Sequence, residues 1–291
     1  MLSLLQAIRN ADVQIYYFLN GVVGNRFLDH IFQFLESNTL FKCGLLVSAY
    51  CYFWFRSDAD QEARRRAILA IITGTLLALT INRVISTLMP FRVRPMFDAA
   101  LQHRPFSVLP ASGLESWSSF PSDHAAYLCA LAFGLIYLSR RLTIPVVLFA
   151  AGWICLPRLY LGMHYASDIV VGTAIGVATV WAALGTGWLR SSVASRMLAF
   201  ADAKPQWFYS AAFLVLFEMG DLFWDVREPV RILLHVVSAG PYHKVIFAEL
   251  LMFAAVCAGI AVSVFRKRLL ASRANRKQVD RNFRFHVPTD R

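Results

Sequence analysis

Long apolar runs govern what this chain can become. Segments near residues 39–55, 67–90, 124–139, 144–161, 168–188, 208–224 and 245–265 are nearly free of charge. Most reach the roughly 17–25 residues that an α-helix needs to cross the hydrocarbon core of a bilayer. A backbone in lipid has no water to bond, so such segments must be helical. The composition agrees: of 291 residues, 57% are apolar and 14% aromatic, beyond the range of an ordinary soluble domain. The expected fold class is all-α, a polytopic membrane helical bundle of about seven spans. Residues 27–36, FLDHIFQFLE, set Phe27, Leu28, Ile31, Phe32 and Leu35 against Asp29, His30, Gln33 and Glu36. That pattern suits an N-terminal amphipathic helix, either lying in the membrane interface or packed on the bundle.

The formal charge of +11 is unevenly distributed. Arg56, Arg64, Arg65 and Arg66 follow the first run, Arg140 and Arg141 the third, and Arg190, Arg196 and Lys204 the fifth. A tail from Arg266 to Lys277 follows the last. With seven spans, all of these fall on one side, which the positive-inside rule makes the cytoplasm. The pattern orients a membrane protein and does not call for nucleic acid. It leaves the connections at 91–123 and 162–167 outside and the C-terminus inside, as expected of an integral protein of a bacterial inner membrane. Cys43, Cys51, Cys129, Cys155 and Cys257 all lie in apolar runs, with no disulfide or metal-ligand spacing. The N-terminus shows no removable signal peptide. Residues 190–207 read as a cytoplasmic linker, so the expected division is a membrane core at 1–200 and a two-span extension with a basic tail at 201–291.

Three polar clusters interrupt the apolar pattern, and all fall on the outer side: FRVRP at 91–95, PSDH at 121–124, and RLYLGMHYASD at 158–168. The first connection is long and carries Pro95, Pro105 and Pro110, as functional loops often do. In the third cluster His164 and Asp168 share one face of a helical turn, so the carboxylate can orient the imidazole and leave the other ring nitrogen as a nucleophile. Arg158, at the end of a span, needs an anionic partner. Taken alone, Arg158 and Asp168 read equally well as an ion pair pinning a helical hairpin. PSDH reads as a helix start, with Ser122 as cap and Asp123 in the first turn, and its free N–H groups suit an anion. His124 could then protonate a leaving oxygen, although a plain N-cap explains the tetrapeptide by itself. Arg92 and Arg94 by themselves suit interfacial snorkelling. Together the clusters supply guanidinium groups, an anion-binding terminus and two histidines, the equipment of phosphoryl transfer without a metal.

On these residues the chain resembles the type 2 phosphatidic acid phosphatase superfamily, whose signatures are a lysine, six residues and Arg-Pro; Pro-Ser-Gly-His; and Ser-Arg, five residues, His, three residues, Asp. Arg94-Pro95, Pro121-Ser122-Asp123-His124, and Arg158, His164 and Asp168 match in order and spacing. The resemblance spans roughly residues 10–190. Thr87 stands in the lysine position, Asp123 in the glycine position and Pro157 in the serine position. The aspartate variant and the stretch LNGVVGNRFLDHIFQFLES are most similar to bacterial undecaprenyl diphosphate phosphatases.

The resemblance implies a lipid phosphatase that needs no cofactor or metal and acts on a membrane lipid phosphate held in the bilayer. It implies attack by His164, orientation by Asp168 and proton transfer by His124, with Arg94, Arg158 and Ser122 on the phosphate. Asp123 joins that set as the family variant, and Arg92 or Arg83 replaces the absent lysine. Arg92 is preferred, because Arg83 sits inside a span and suits an internal partner such as Glu218 or Asp221. Phosphatidate, phosphatidylglycerophosphate or a phosphorylated glycolipid are alternative substrates. A non-enzymatic lipid transporter is a further alternative, motivated by Glu218, Asp221 and Glu249 in the last two runs, with Arg227 and Arg231 as their possible partners. The sequence leaves the oligomeric state open.

Overall fold

In the computed structural model the described residues are 2–101, 114–187 and 192–220, with 222, 223 and 225. Met1–Val226 forms one compact unit and Arg227–Arg291 a second. The second lies outside the described residues, and with it the run at 245–265, Arg227, Arg231, Glu249, the basic tail and Cys257. Pro105, Pro110, Arg190 and Asp221 lie outside them too.

All regular elements among the described residues are helical. They are α1 (Leu2–Asn20), α2 (Arg26–Ser37), a π-helical turn at Leu40–Gly44 leading into α3 (Leu45–Phe55), α4 (Gln61–Leu88), α5 (Asp123–Leu138), α6 (Thr143–Phe149), a second π-helical turn at Ala150–Cys155 leading into α7 (Leu156–Tyr160), α8 (Ala166–Gly185), α9 (Ala194–Ala203) and α10 (Pro205–Gly220). Three helices are long and apolar enough to cross a membrane: Gln61–Leu88, the continuous Arg140–Tyr160 and Ala166–Gly185. Leu40–Phe55 and Asp123–Leu138 are shorter apolar helices. Against the expected seven or so spans, three such helices stand among the described residues.

The centre of the compact unit is the trio α4, α5 and α8. On α4 the buried set Ala67, Ile71, Gly74, Ala78 and Asn82 repeats with the helical period. Helix α5 is buried from Ala125 to Ala132 and again at Gly134 and Leu135, so it is the inner member. Small residues let α5 and α8 approach closely. A Cβ added at Gly172 would stand 2.5 Å from the Ser122 carbonyl oxygen, and one at Gly176 would stand 2.0 Å from that of Ala126. Outward faces remain apolar, with Leu77, Ile144, Leu148, Val170, Trp181, Phe213 and Phe217 exposed. So large an apolar surface fits lipid rather than water.

Pro157 accounts for the second π turn. It has no N–H and its ring crowds the carbonyl four residues back; the widened turn at Ala150–Cys155 ends just before it, and Pro157 occupies the first turn of α7. The interruption falls where Arg158 begins the site, as π turns often do.

Three sequence expectations change. Helix α1 was not anticipated, although it packs on α7 and α8. Helix α2 turns Asp29 and Leu35 inward and leaves Phe27, Ile31 and Phe34 exposed, so its two acids do not face water as the pattern suggested. Asp29 accepts a hydrogen bond from the Tyr160 hydroxyl at 2.6 Å, and Glu36 pairs with Arg158; both acids are drawn inward by partners remote in sequence. The expected linker at 190–207 contains α9, whose Ala194, Leu198 and Ala201 are buried.

Gly176→Ala should lower the melting temperature clearly, because the added methyl meets backbone and not a flexible side chain, and such overpacking costs about 1–3 kcal/mol. Gly152→Ala meets nothing within 4 Å and should leave melting unchanged. Thermal unfolding of the two variants in detergent checks the pair.

Candidate active site

The three clusters meet at one end of the helical trio. The C-terminal end of α4, the N-terminus of α5, the C-terminus of α7 and the N-terminus of α8 gather there. Arg64–Arg66 and Arg140–Arg141 therefore occupy the opposite ends of α4, α5 and α6. Two backbone links hold the junction: Ser122 N donates to the Asp168 carbonyl at 3.2 Å, and Met96 N donates to the Gly162 carbonyl at 2.9 Å. Gly162 takes a positive φ of 64°, which a glycine adopts without strain, and this turns the chain sharply from α7 into the His164 loop.

His164 is buried at 5% exposure. Its Nδ1 stands 2.7 Å from the Ser119 carbonyl oxygen. A carbonyl can only accept, so this contact places the proton on Nδ1 and leaves the Nε2 lone pair exposed. Nε2 faces Arg94 Nη1 at 3.3 Å. The Asp168 carboxylate lies 3.8 Å from Nδ1, an ion-pair distance and not a hydrogen bond. Orientation of the ring by Asp168, as the spacing suggested, therefore falls directly to Ser119, with Asp168 acting through its charge. Burial pulls the His164 pKa below the ordinary imidazole value; Asp168 opposes this and Arg94 adds to it.

Arg94 is fixed by carbonyls, donating to Met163 at 2.8 Å, Trp117 at 3.3 Å and Ser118 at 3.5 Å. Burial lowers its pKa, and Asp123, Asp168 and Glu36 resist that effect. Arg158 is fully buried. It donates to the Ile154 carbonyl at 2.8 Å and pairs with Glu36 at 2.7 Å. Ser122 caps α5 through its side chain, with Ala125 N at 3.4 Å. His124, in the first turn of α5, lies within the electrostatic reach of Arg158, Lys42, His164 and Arg94.

The remaining expected residues take other partners. Asp123 accepts from Asn82 Nδ2 at 2.7 Å and is paired with Arg83, which also lies over the Trp117 ring at 4.7 Å. Arg83 thus meets the PSDH turn through Asp123. Thr87 is exposed and bonds the Val84 carbonyl at 2.8 Å. Arg92, preferred above as the replacement cation, gives its guanidinium to Asp12, Ser167 and Asp168.

Several contributors escaped the sequence reading. Lys42, buried at 6% exposure, donates to the Glu36 carbonyl at 2.8 Å. A lysine within an apolar run is a signal of function that could have marked it. Glu36, Asp12 and Ser119 carry no comparable signal, since their partners lie remote in the chain.

The profile of the PAP2 superfamily matches residues 67–191, the segment that carries all three clusters. Over 155 residues the chain is 26% identical to the undecaprenyl-diphosphatase BcrC of Bacillus subtilis (strain 168), covering 53% of this chain and 72% of that protein. It is 32% identical over 108 residues to the lipid A 1-phosphatase of Rhizobium johnstonii (strain DSM 114642 / LMG 32736 / 3841), covering 36% of this chain and 40% of that protein. It is 41% identical over 96 residues to phosphatidylglycerophosphatase B of Escherichia coli (strain K12), covering 32% of this chain and 37% of that protein. No solved structure matches. The three spacing-matched clusters at one end of the bundle thus lie in the segment that the PAP2 superfamily profile matches, and the chain is similar to proteins named as phosphatases of lipid phosphates and diphosphates.

Proposed function

We propose that this enzyme removes the terminal phosphate of a polyprenyl diphosphate of the undecaprenyl diphosphate type, through a phosphohistidine on His164. The observation that carries the catalytic part is the His164 imidazole, with its Nδ1 proton on a backbone carbonyl and its Nε2 directed at Arg94. A phosphate entering beside Arg94 would meet that lone pair. Support for the substrate comes from Asp123 in the PSDH turn, the N-terminal stretch at 19–37 and the similarity to BcrC. The similarity to a phosphatidylglycerophosphatase and a lipid A phosphatase favours a second reading, hydrolysis of those lipid phosphates.

In the first step Nε2 bonds to the terminal phosphorus as the bridging P–O bond breaks, and His124 gives its proton to the leaving oxygen of the polyprenyl monophosphate. Arg94 and Arg158 neutralise the nonbridging oxygens, and the first turn of α5 offers N–H groups to the same charge. Glu36 must yield Arg158 to the phosphate as it arrives. In the second step a water attacks phosphorus while His124, now neutral, takes its proton; the P–N bond breaks, releasing inorganic phosphate and His164. Asp168 stabilises the positive ring that carries the phosphoryl group between the steps. Arg92 bears on this chemistry through Asp168. The active-site end of the bundle faces outward, since the basic clusters occupy the other end, and the C-terminus is cytoplasmic. The catalytic machinery lies within residues 1–200, and 201–291 is an accessory extension.

His164→Ala and His124→Ala should each lower kcat by at least about a hundredfold with little change in melting temperature, because both groups act in the transition state. Phosphate release by purified protein from a panel of lipid mono- and diphosphates checks both the variants and the substrate. The highest kcat/KM is expected on polyprenyl diphosphate, and preference for phosphatidylglycerophosphate would select the second reading.

The acid limb of kcat/KM should also lie below the ordinary imidazole value of about 6.5. Its sign follows from the lowered His164 pKa: protonation removes the lone pair, so activity falls only as pH drops through that lowered value. A pH profile corrected for the substrate's own ionisation checks it, and a limb above the ordinary value would contradict the assignment.

A further inference from the structure

Arg92 lies in a run of charge that the family motifs do not describe. Its Nη1 donates to Asp168 Oδ1 at 2.5 Å and to Ser167 Oγ at 2.8 Å, and its Nη2 donates to Asp12 Oδ2 at 2.7 Å. Asp12, on α1, is 3% exposed. Its Oδ1 accepts from Ser167 N at 2.9 Å and its Oδ2 from Ser167 Oγ at 2.6 Å. The guanidinium also lies 4.1 Å from the centre of the Tyr165 ring, whose hydroxyl donates to Asp98 at 3.1 Å. Asp12, Tyr16, Leu159, His164 and Tyr165 line one cleft. Asp12 falls outside residues 67–191, so α1 reaches the reacting end of the molecule from beyond the family segment.

We propose that Asp12 and Arg92 are positioning residues that clamp Asp168 and keep its charge available to His164. This rests on the reading of His164 as the group that accepts the phosphoryl. Both oxygens of Asp168 are engaged, Oδ1 by Arg92 and Oδ2 by Tyr165 N at 2.8 Å, so the carboxylate cannot swing toward Nδ1 at 3.8 Å. The ring proton therefore stays on Nδ1, donated to the Ser119 carbonyl. Charge follows from the same geometry. Arg92 alone would cancel Asp168; Asp12 offsets Arg92, and the three groups together keep one net negative charge beside the imidazole. Arg94, 3.3 Å from Nε2, and His124 are basic groups that bear on His164, and this anionic trio counters them when the ring becomes positive. The pair acts through Asp168 and touches no reacting atom.

Asp12→Asn takes the trio from −1 to 0 and should lower the His164 pKa; Arg92→Gln takes it to −2 and should raise it; the double variant should return toward wild type. Nitrogen-15 NMR titration of the imidazole in detergent-solubilised full-length protein reads this without substrate. Activity gives the second readout: Asp12→Asn should lower kcat about tenfold to a hundredfold, as loss of an orienting partner behind a catalytic ligand does, with KM within about twofold, and Asp12→Glu should restore most of the rate. Unmoved titrations in both single variants, or shifts of the opposite sign, would overturn the clamp. If one single variant does not fold, the other still gives the sign. If neither folds, a folded double variant with a near wild-type titration supports charge pairing, and failure of all three to fold overturns the clamp in favour of a mere tether for α1. Absence of a phosphohistidine would instead overturn the role of His164 and leave the titration result standing.

Discussion

The close approach of α5 and α8 is the contact on which the site depends. Gly172 and Gly176 admit the Ser122 and Ala126 carbonyls to distances that no side chain would permit, and the Ser122 N to Asp168 O bond ties the two helix N-termini together. Two helix starts thereby face the same volume, each with a positive dipole end.

Buried cations set the second constraint. Arg158 and Arg94 are taken out of water almost completely, and a guanidinium so placed needs acceptors. The fold supplies carbonyls from irregular backbone: Ile154 in the π turn for Arg158, and Trp117, Ser118 and Met163 for Arg94. Each carbonyl fixes a donor without cancelling the positive charge. Carboxylates pair with the cations besides Arg94, with Glu36 on Arg158 as well as its carbonyl, Asp123 on Arg83, and Asp12 with Asp168 on Arg92. The result is a site whose positive field is held ready while its individual charges remain compensated.

Much of this was legible in the sequence, and the division has a physical basis. His164 and Asp168, or Ser122 and His124, lie within one turn, so spacing alone places them. The apolar runs marked α4, α5 and α8 because a helix facing lipid or a buried core is apolar on every side. Pairings between remote segments were not legible: Arg83 was given an internal acidic partner without Asp123 being named, and Arg92 was read as facing the phosphate, whereas its guanidinium holds Asp12 and Asp168. The amphipathic pattern of 27–36 was legible, but not the partners of its acids: Asp29 and Glu36 turn inward to Tyr160 and Arg158. In a membrane protein the interior can be the more polar side, so hydrophobic patterning identifies such a helix without saying which face is in. Asp12 gave no sign at all, since an acid on a short amphipathic helix looks the same whether it meets solvent or an arginine.

The central claim is that His164 Nε2 becomes covalently phosphorylated. Rapid acid-free quenching of the purified enzyme with terminally labelled polyprenyl diphosphate, followed by mass mapping, tests it directly. The account predicts a transient, acid-labile and base-stable phosphoryl group on His164 that is absent in His164→Ala. Turnover of the same substrate by His164→Ala at the wild-type rate, or label on any other residue, would contradict it.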